Sequence, residues 1–286
     1  SLQKRGKARI PRLRKAVNMG SKTTFEFLKI INPTMHFQVG NVASVPVNEP
    51  EIKAQRKRIE ETVEKLVGCV KWDWDSYETS WDFTSLLLLH SDYHQPTLKA
   101  TYQKLRTHWR EMTLEMQRLE EQNNRIFIDA YDLQDELTPK VARNEITLTC
   151  NPHYRYGKDK NEDEMEALLR ADTMRELVSY AVGCMFGRYA LDKPGLILAN
   201  QGETIEDYLK RIPEPSFPAD DDNVIPMLDG DWFTDDIAER FRKFLRVAFG
   251  DEDSEENLQF VEMALGNNGK ARDIRDYFLK DFYNDH

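Results

Sequence analysis

The chain has 286 residues, 40% of them hydrophobic and 31% charged, with 50 Asp+Glu against 40 Lys+Arg for a net charge of −10. This is too apolar for a disordered chain and long enough for one large or two modest domains around a sizeable core. The charge is divided: residues 1–30 hold nine cations against Glu26 alone, a balance of +8, and the rest carries −18.

The basic end comprises Lys4, Arg5, Lys7, Arg9, Arg12, Arg14, Lys15 and Lys22, with Lys29 beyond them. Such a cluster is suited to neutralising several phosphates of double-stranded DNA, with affinity that depends on salt and carries no sequence information. A frayed terminus without a ligand is the other reading. Residues 24–31 read as a short apolar element that stops before Pro33. Met35, Phe37 and Val39 then alternate with His36 and Gln38 as in a half-buried strand, Gly40-Asn41 makes a turn, and residues 42–47 follow as β structure.

At Asn48 the character changes. Asn48 caps a helix with Pro50 in its first turn, and Ile52, Ile59, Val63, Leu66 and Val67 form its apolar stripe, ending near residues 68–72. After Pro96, Leu98, Tyr102, Leu105, Trp109, Met112, Met116, Leu119, Asn123, Ile126 and Ala130 recur at alternating steps of four and three. That is the spacing of a coiled-coil seam, on a helix reaching about 50 Å. Two readings stay open: a spacer or dimerisation arm whose seam, from Leu98 to Leu119, meets a partner or a second copy, and a long helix inside a compact bundle.

Residues 146–149 are β-prone. Residues 162–189 read as one helix with Met165, Leu168, Leu169, Leu177, Ala181, Met185 and Phe186 inward. Residues 194–230 are rich in Pro, Gly and Asp and read as irregular. Thr234 is placed to cap a helix with Ile237, Phe241, Phe244, Leu245 and Ala248 on one face. Ser254 opens another that Gly266 closes, and a last one carries Ile274, Phe278 and Phe282.

Candidate chemistry is sparse. Cys69, Cys150 and Cys184 are far apart and fit free thiols of a cytoplasmic protein. No stretch reaches the roughly 20 apolar residues of a membrane span. Asn151-Pro152-His153-Tyr154 follows the β-prone run as the Asn-Pro-Pro-Tyr turn of amino-methyltransferases follows a strand, but His153 replaces the second Pro. No Gly-rich cofactor loop lies upstream, so a plain turn is the competing reading. His90, Asp92 and His94 suit a metal on an extended segment, or a surface turn. Asp220-Asp221-Asp222 and Asp229-Gly230-Asp231 lack the spacing of a calcium loop. Residues 266–270 lack the spacing of a phosphate loop. Trp72, Trp74 and Trp81 stand among Asp73, Asp75, Glu78 and Asp82, which favours packing over stacking on bases.

Several segments together carry a resemblance. Residues 21–29, Asn32-Pro33-Thr34-Met35-His36-Phe37-Gln38-Val39-Gly40 and Val45-Pro46-Val47 resemble the end of a DNA target-recognition domain of the restriction-modification type. Asp73-Trp74-Asp75-Ser76, Glu78-Thr79-Ser80-Trp81-Asp82-Phe83, Tyr131-Asp132-Leu133-Gln134-Asp135-Glu136-Leu137, Tyr180-Ala181-Val182-Gly183-Cys184-Met185-Phe186-Gly187-Arg188-Tyr189 and Phe217-Pro218-Ala219-Asp220-Asp221-Asp222 are similar to the C-terminal half of the PglX adenine-specific DNA methyltransferases of bacteriophage-exclusion (BREX) systems. The resemblance covers residues 20–286. It implies a parent enzyme that methylates adenine with S-adenosylmethionine, and a fragment that lacks the cofactor and catalytic motifs.

The expectation is a mainly α (α+β) chain: the end of a β-containing target-recognition domain at 1–48, a helical coiled-coil-like spacer at 49–138, and a mostly helical C-terminal domain at 139–286. Its expected role is non-catalytic DNA recognition and scaffolding. The alternative is an interaction module that binds other phage-defence subunits, or itself, through the seam. Neither a cofactor of its own nor a membrane is expected.

Overall fold

The computed structural model describes residues 21–285 apart from residues 35, 37, 158, 231 and 268. The chain is mainly helical, and among the described residues the one pairing of extended backbone outside helices and turns is a bridge between Asn267 and Lys270. In chain order the helices are α1 (Lys22–Ile31), α2 (Val39–Ser44), α3 (Glu49–Ala54), α4 (Arg56–Asp75), α5 (Leu98–Ala130), α6 (Pro152–Arg155), α7 (Glu162–Met185), α8 (Ile205–Arg211), α9 (Ile237–Phe249), α10 (Ser254–Leu265), α11 (Ile274–Lys280) and α12 (Phe282–Asp285). Short 3-10 turns lie at Leu87–Leu89 and Arg143–Glu145.

Two expected β segments are corrected. Val39, Gly40 and Asn41 open α2 instead of ending a strand and turning. The side chain of Asn41 accepts the Gln38 N–H at 2.8 Å, which favours a helix start over extension. Met35 and Phe37, the rest of that expected strand, lie outside the described residues. Residues 146–149 join no sheet: the Ile146 and Leu148 amides donate to the nearby carbonyls of Arg143 and Ile146, and the next two amides go to a side chain. The Thr149 and Cys150 amides donate to the two carboxylate oxygens of Asp73 at 2.6 and 3.1 Å.

The other elements follow their patterns with shifted ends. Asn48 flanks α3 with Pro50 in the first turn, yet its amide caps nothing; it donates to the Ala130 carbonyl at 2.6 Å. The expected single helix there is two, interrupted at Gln55, and α4 continues to Asp75. Asp236, not Thr234, caps α9, its carboxylate accepting the Glu239 N–H at 2.9 Å. The helix expected over 162–189 stops at Met185, and Phe186 is exposed.

The chain divides into two compact units: Ser1–Asp73 with Arg110–Arg155, and Trp74–Trp109 with Tyr156–His286. Both long helices, α4 and α5, are shared out between the units, so the grouping does not follow chain order. In the first unit Ile52 and Ile59 pack on Ile126 and Phe127, with Val47, Val63 and Tyr131 around them. Asn124 accepts the Lys22 N–H at 2.9 Å, which anchors the start of α1 to α5.

In the second unit α7, α9, α10 and α11 build the core. Phe217 and Phe278 meet Phe244 and Phe241 edge-on at 5.5 and 6.1 Å. At the start of α5 the Thr97 hydroxyl accepts the Ala100 N–H at 3.1 Å, and Asn257 of α10 accepts the Leu98 N–H at 2.7 Å, so a second orphan donor of that helix end is satisfied from α10. A satellite cluster of Ala190, Ile197, Tyr208, Ile212 and Ala219 lies under the irregular segments.

Candidate nucleic-acid interface

Of the eight cations singled out for DNA, Lys4, Arg5, Lys7, Arg9, Arg12, Arg14 and Lys15 lie outside the described residues. Lys22 stands at the start of α1, where Ser21 accepts the Thr24 N–H as N-cap. Its ammonium donates to the Lys140 carbonyl. That bond ties the start of α1 to the segment at Lys140 within the same unit. Beside it Glu120 is desolvated and faces Glu145; both effects push its pKa up to about 7, against the pull of Lys22.

The seam is assembled inward. Leu98, Tyr102, Leu105 and Trp109 are buried in the second unit, where Tyr102 packs against Phe260 at 5.9 Å. Met116, Leu119 and Asn123 are buried in the first unit and Met112 is half-buried there. The stripe thus serves as core on this chain, as in the compact-bundle reading. The arm reading would leave it exposed. Leu114, off the stripe, is the exposed apolar residue of α5.

The other candidate motifs also resolve into structure. Asn151 is fully buried; its amide donates to the Arg143 and Ile146 carbonyls at 2.7 and 2.8 Å, and its carbonyl accepts the His153 N–H at 3.2 Å. Every polar atom of that side chain is thereby used to hold a turn. His90 faces Asp92, but His94 stacks on Phe249 at 5.9 Å, and among the described residues no group of three or more His, Cys, Asp and Glu is arranged to hold a metal.

Three of the segments that carry the resemblance converge in the second unit. Tyr180 and Tyr189 stack at 4.9 Å, Phe83 meets both edge-on, and the Tyr189 hydroxyl donates to Glu78 at 2.9 Å. Burial and the Glu78 carboxylate push the Tyr189 hydroxyl up to about 12, so it stays a neutral donor. A Cβ on Gly183 would lie 2.7 Å from the Tyr189 ring, so the close approach requires glycine there. The Asp220 N–H donates to the Met185 carbonyl at 2.8 Å, tying the third segment to the end of α7. Burial works against an ionised Asp220, but the Val224 N–H, Asp222 and the Arg240 guanidinium outweigh it and lower its pKa.

Sequence reasoning passed over one feature. Residues 212–239 contain nine carboxylates and no Lys or Arg, a signal visible in the chain as written. In the structure this stretch exposes Val224, Met227, Leu228, Trp232 and Phe233. Among the described residues no helix is long and apolar enough to cross a membrane.

No protein-family model matches the chain. It is 33% identical over 275 residues to the adenine-specific methyltransferase PglX of Lacticaseibacillus casei (strain Zhang), an alignment covering 93% of this chain and 20% of that protein. It is 30% identical over 277 residues to the adenine-specific methyltransferase BrxX of Escherichia coli O9:H4 (strain HS), covering 94% of this chain and 22% of the relative. The chain thus spans about a fifth of the length of the curated relatives it matches. Over nearly its whole length it is related to a C-terminal portion of the PglX family of adenine-specific methyltransferases.

Proposed function

We propose that the chain is a non-catalytic DNA-recognition and scaffolding portion of an S-adenosylmethionine-dependent adenine-specific DNA methyltransferase in a phage-defence system. The observation that carries this reading is the similarity along 93% of the chain to a methyltransferase named for adenine specificity. The basic residues from Lys4 to Lys22 supply the charge for a sequence-independent hold on double-stranded DNA, and residues 1–48 form the end of the target-recognition element. The helical remainder is the scaffold.

The described residues do not fit the cofactor. A nucleotide-like methyl donor is held by a Gly-rich strand-to-helix loop, and the described residues include no such strand. The Asn151 turn, which would grip an adenine amine, has its amide closed by three hydrogen bonds inside the unit. On this reading cofactor binding and methyl transfer fall to the portions of such an enzyme that the similarity to this chain does not span.

Electrophoretic shifts of a duplex by the chain at low and moderate salt test the DNA role. Binding that falls steeply with salt, and that is lost when the seven cations from Lys4 to Lys15 are changed to Gln, is the expected result. Absence of a shift at low salt rejects it. Calorimetry with S-adenosylmethionine tests the other half, with no heat of binding expected.

A further inference from the structure

We propose that Val224, Met227, Leu228, Trp232 and Phe233 form a docking surface for a protein segment presenting an apolar face framed by lysine and arginine. Five large apolar side chains, Val224, Met227, Leu228, Trp232 and Phe233, are between 46% and 75% exposed within ten residues. Exposed apolar clusters of this density mark interaction sites, and Met and aromatic residues are the types enriched in interface cores.

The segment is irregular but held in place. The Val224 N–H donates to Asp220 and Asp222, each at 3.0 Å, and the Pro226 carbonyl accepts the Ile237 N–H at 3.0 Å. Arg275 of α11 donates to the Leu228 carbonyl at 3.2 Å, and the Trp232 indole N–H donates to the Asp229 carbonyl at 2.9 Å. The indole is thus oriented before any partner arrives, which reduces the ordering cost of binding.

Charge selects the occupant. Of the nine carboxylates in residues 212–239, Asp220 and Asp236 are paired inside the unit with Arg240 and Arg275. Asp221, Asp222, Asp229 and Asp235 are exposed and flank or interrupt the apolar side chains along the chain, and the stretch offers no cation to offset them. Such a rim repels the phosphates of DNA and also repels a second copy of the same patch. It complements a basic amphipathic segment, whose apolar face covers the cluster while its cations meet the rim. This inference does not rest on the DNA role assigned to the basic end.

The probe is a fluorescein-labelled 18-residue synthetic helix of Leu and Lys in amphipathic register. The controls are a Leu/Glu helix, a Ser/Lys peptide and a 20-base-pair duplex. Fluorescence anisotropy with the full chain is expected to show binding of the Leu/Lys helix alone at residues 224–233. Affinity should fall about tenfold in a Met227→Ser, Leu228→Ser, Trp232→Ser variant. It should also fall with added salt and in an Asp221→Asn, Asp229→Asn, Asp235→Asn variant. Hydrogen exchange on the unaltered chain, with and without the Leu/Lys helix, maps the site without relying on any variant, and slowed exchange confined to residues 224–233 is expected. The proposal is overturned by failure of the Leu/Lys helix to bind, by protection elsewhere, or by equal binding of the Leu/Glu helix. Sedimentation showing a dimer that the serine variant abolishes would assign the patch to self-association instead and equally overturn it.

Discussion

Asp73 connects helix end and loop within the first unit, because its buried carboxylate takes both the Thr149 and Cys150 amides. Asp73→Ala leaves the buried Cys150 amide and the half-buried Thr149 amide without acceptors and is expected to cost about 3 kcal/mol in urea unfolding. Asp73→Asn, which keeps one acceptor, should cost less. Gly183→Ala forces a methyl against the Tyr189 ring and should cost about 1–3 kcal/mol, with Tyr189→Leu restoring part of it. Glu120 gives a pH signature. Its pKa is raised from 4.5 to about 7, so the folded state holds the proton more tightly than the unfolded chain. Its contribution is therefore fully present below about pH 4.5 and is lost as the pH rises through 7. Compared by chemical denaturation at pH 5 and pH 8, Glu120→Gln should remove that loss. None of these three roles was legible in the sequence, where Asp73 is one acid among several near tryptophans and Glu120 one among many on a polar helix. Burial and partner identity arise only when distant segments meet.

The helices were the most legible elements. The stepping from Leu98 onward fixed α5 and its apolar stripe, and the Ser254 and Gly266 signals bounded α10 correctly. Periodicity reports which face of a helix is apolar and is silent on what covers it. Here the cover comes from the chain itself, so Leu105→Ala is expected to lower stability by about 2–5 kcal/mol, while Leu114→Ala, half exposed, should stay within about 0.5 kcal/mol. An unchanged melting temperature for Leu105→Ala would return the seam to the partner-facing reading. The β expectations failed where alternation ran over only a few residues. In residues 38–41 a side chain–backbone hydrogen bond started a helix, and over residues 146–150 the amides found nearby carbonyls and the Asp73 carboxylate before they found a neighbouring strand.

For the molecule as a whole, the net charge of −10 is the sum of +8 in residues 1–30 and −18 in the rest. Replacing the cations from Lys4 to Lys15 with Gln should reduce the slope of log affinity against log salt by about 0.9 for each phosphate no longer neutralised, measured by titration with duplex DNA. The same changes should leave binding of the Leu/Lys helix intact, because the bonds that hold the acidic apolar loop come from Asp220, Asp222, Ile237 and Arg275. Composition, helix periodicity and the charge division could all be read directly, since each depends on residue type and spacing along one chain. So could the resemblance to PglX methyltransferases, which rests on the order of short segments. Only the folded chain decided that the α5 stripe is core, that Asn151 closes a turn, and that Val224, Met227, Leu228, Trp232 and Phe233 stand exposed. Those outcomes depend on which groups far apart in sequence compete for the same apolar surface, amide or cation, and that competition is resolved only when the segments are brought together.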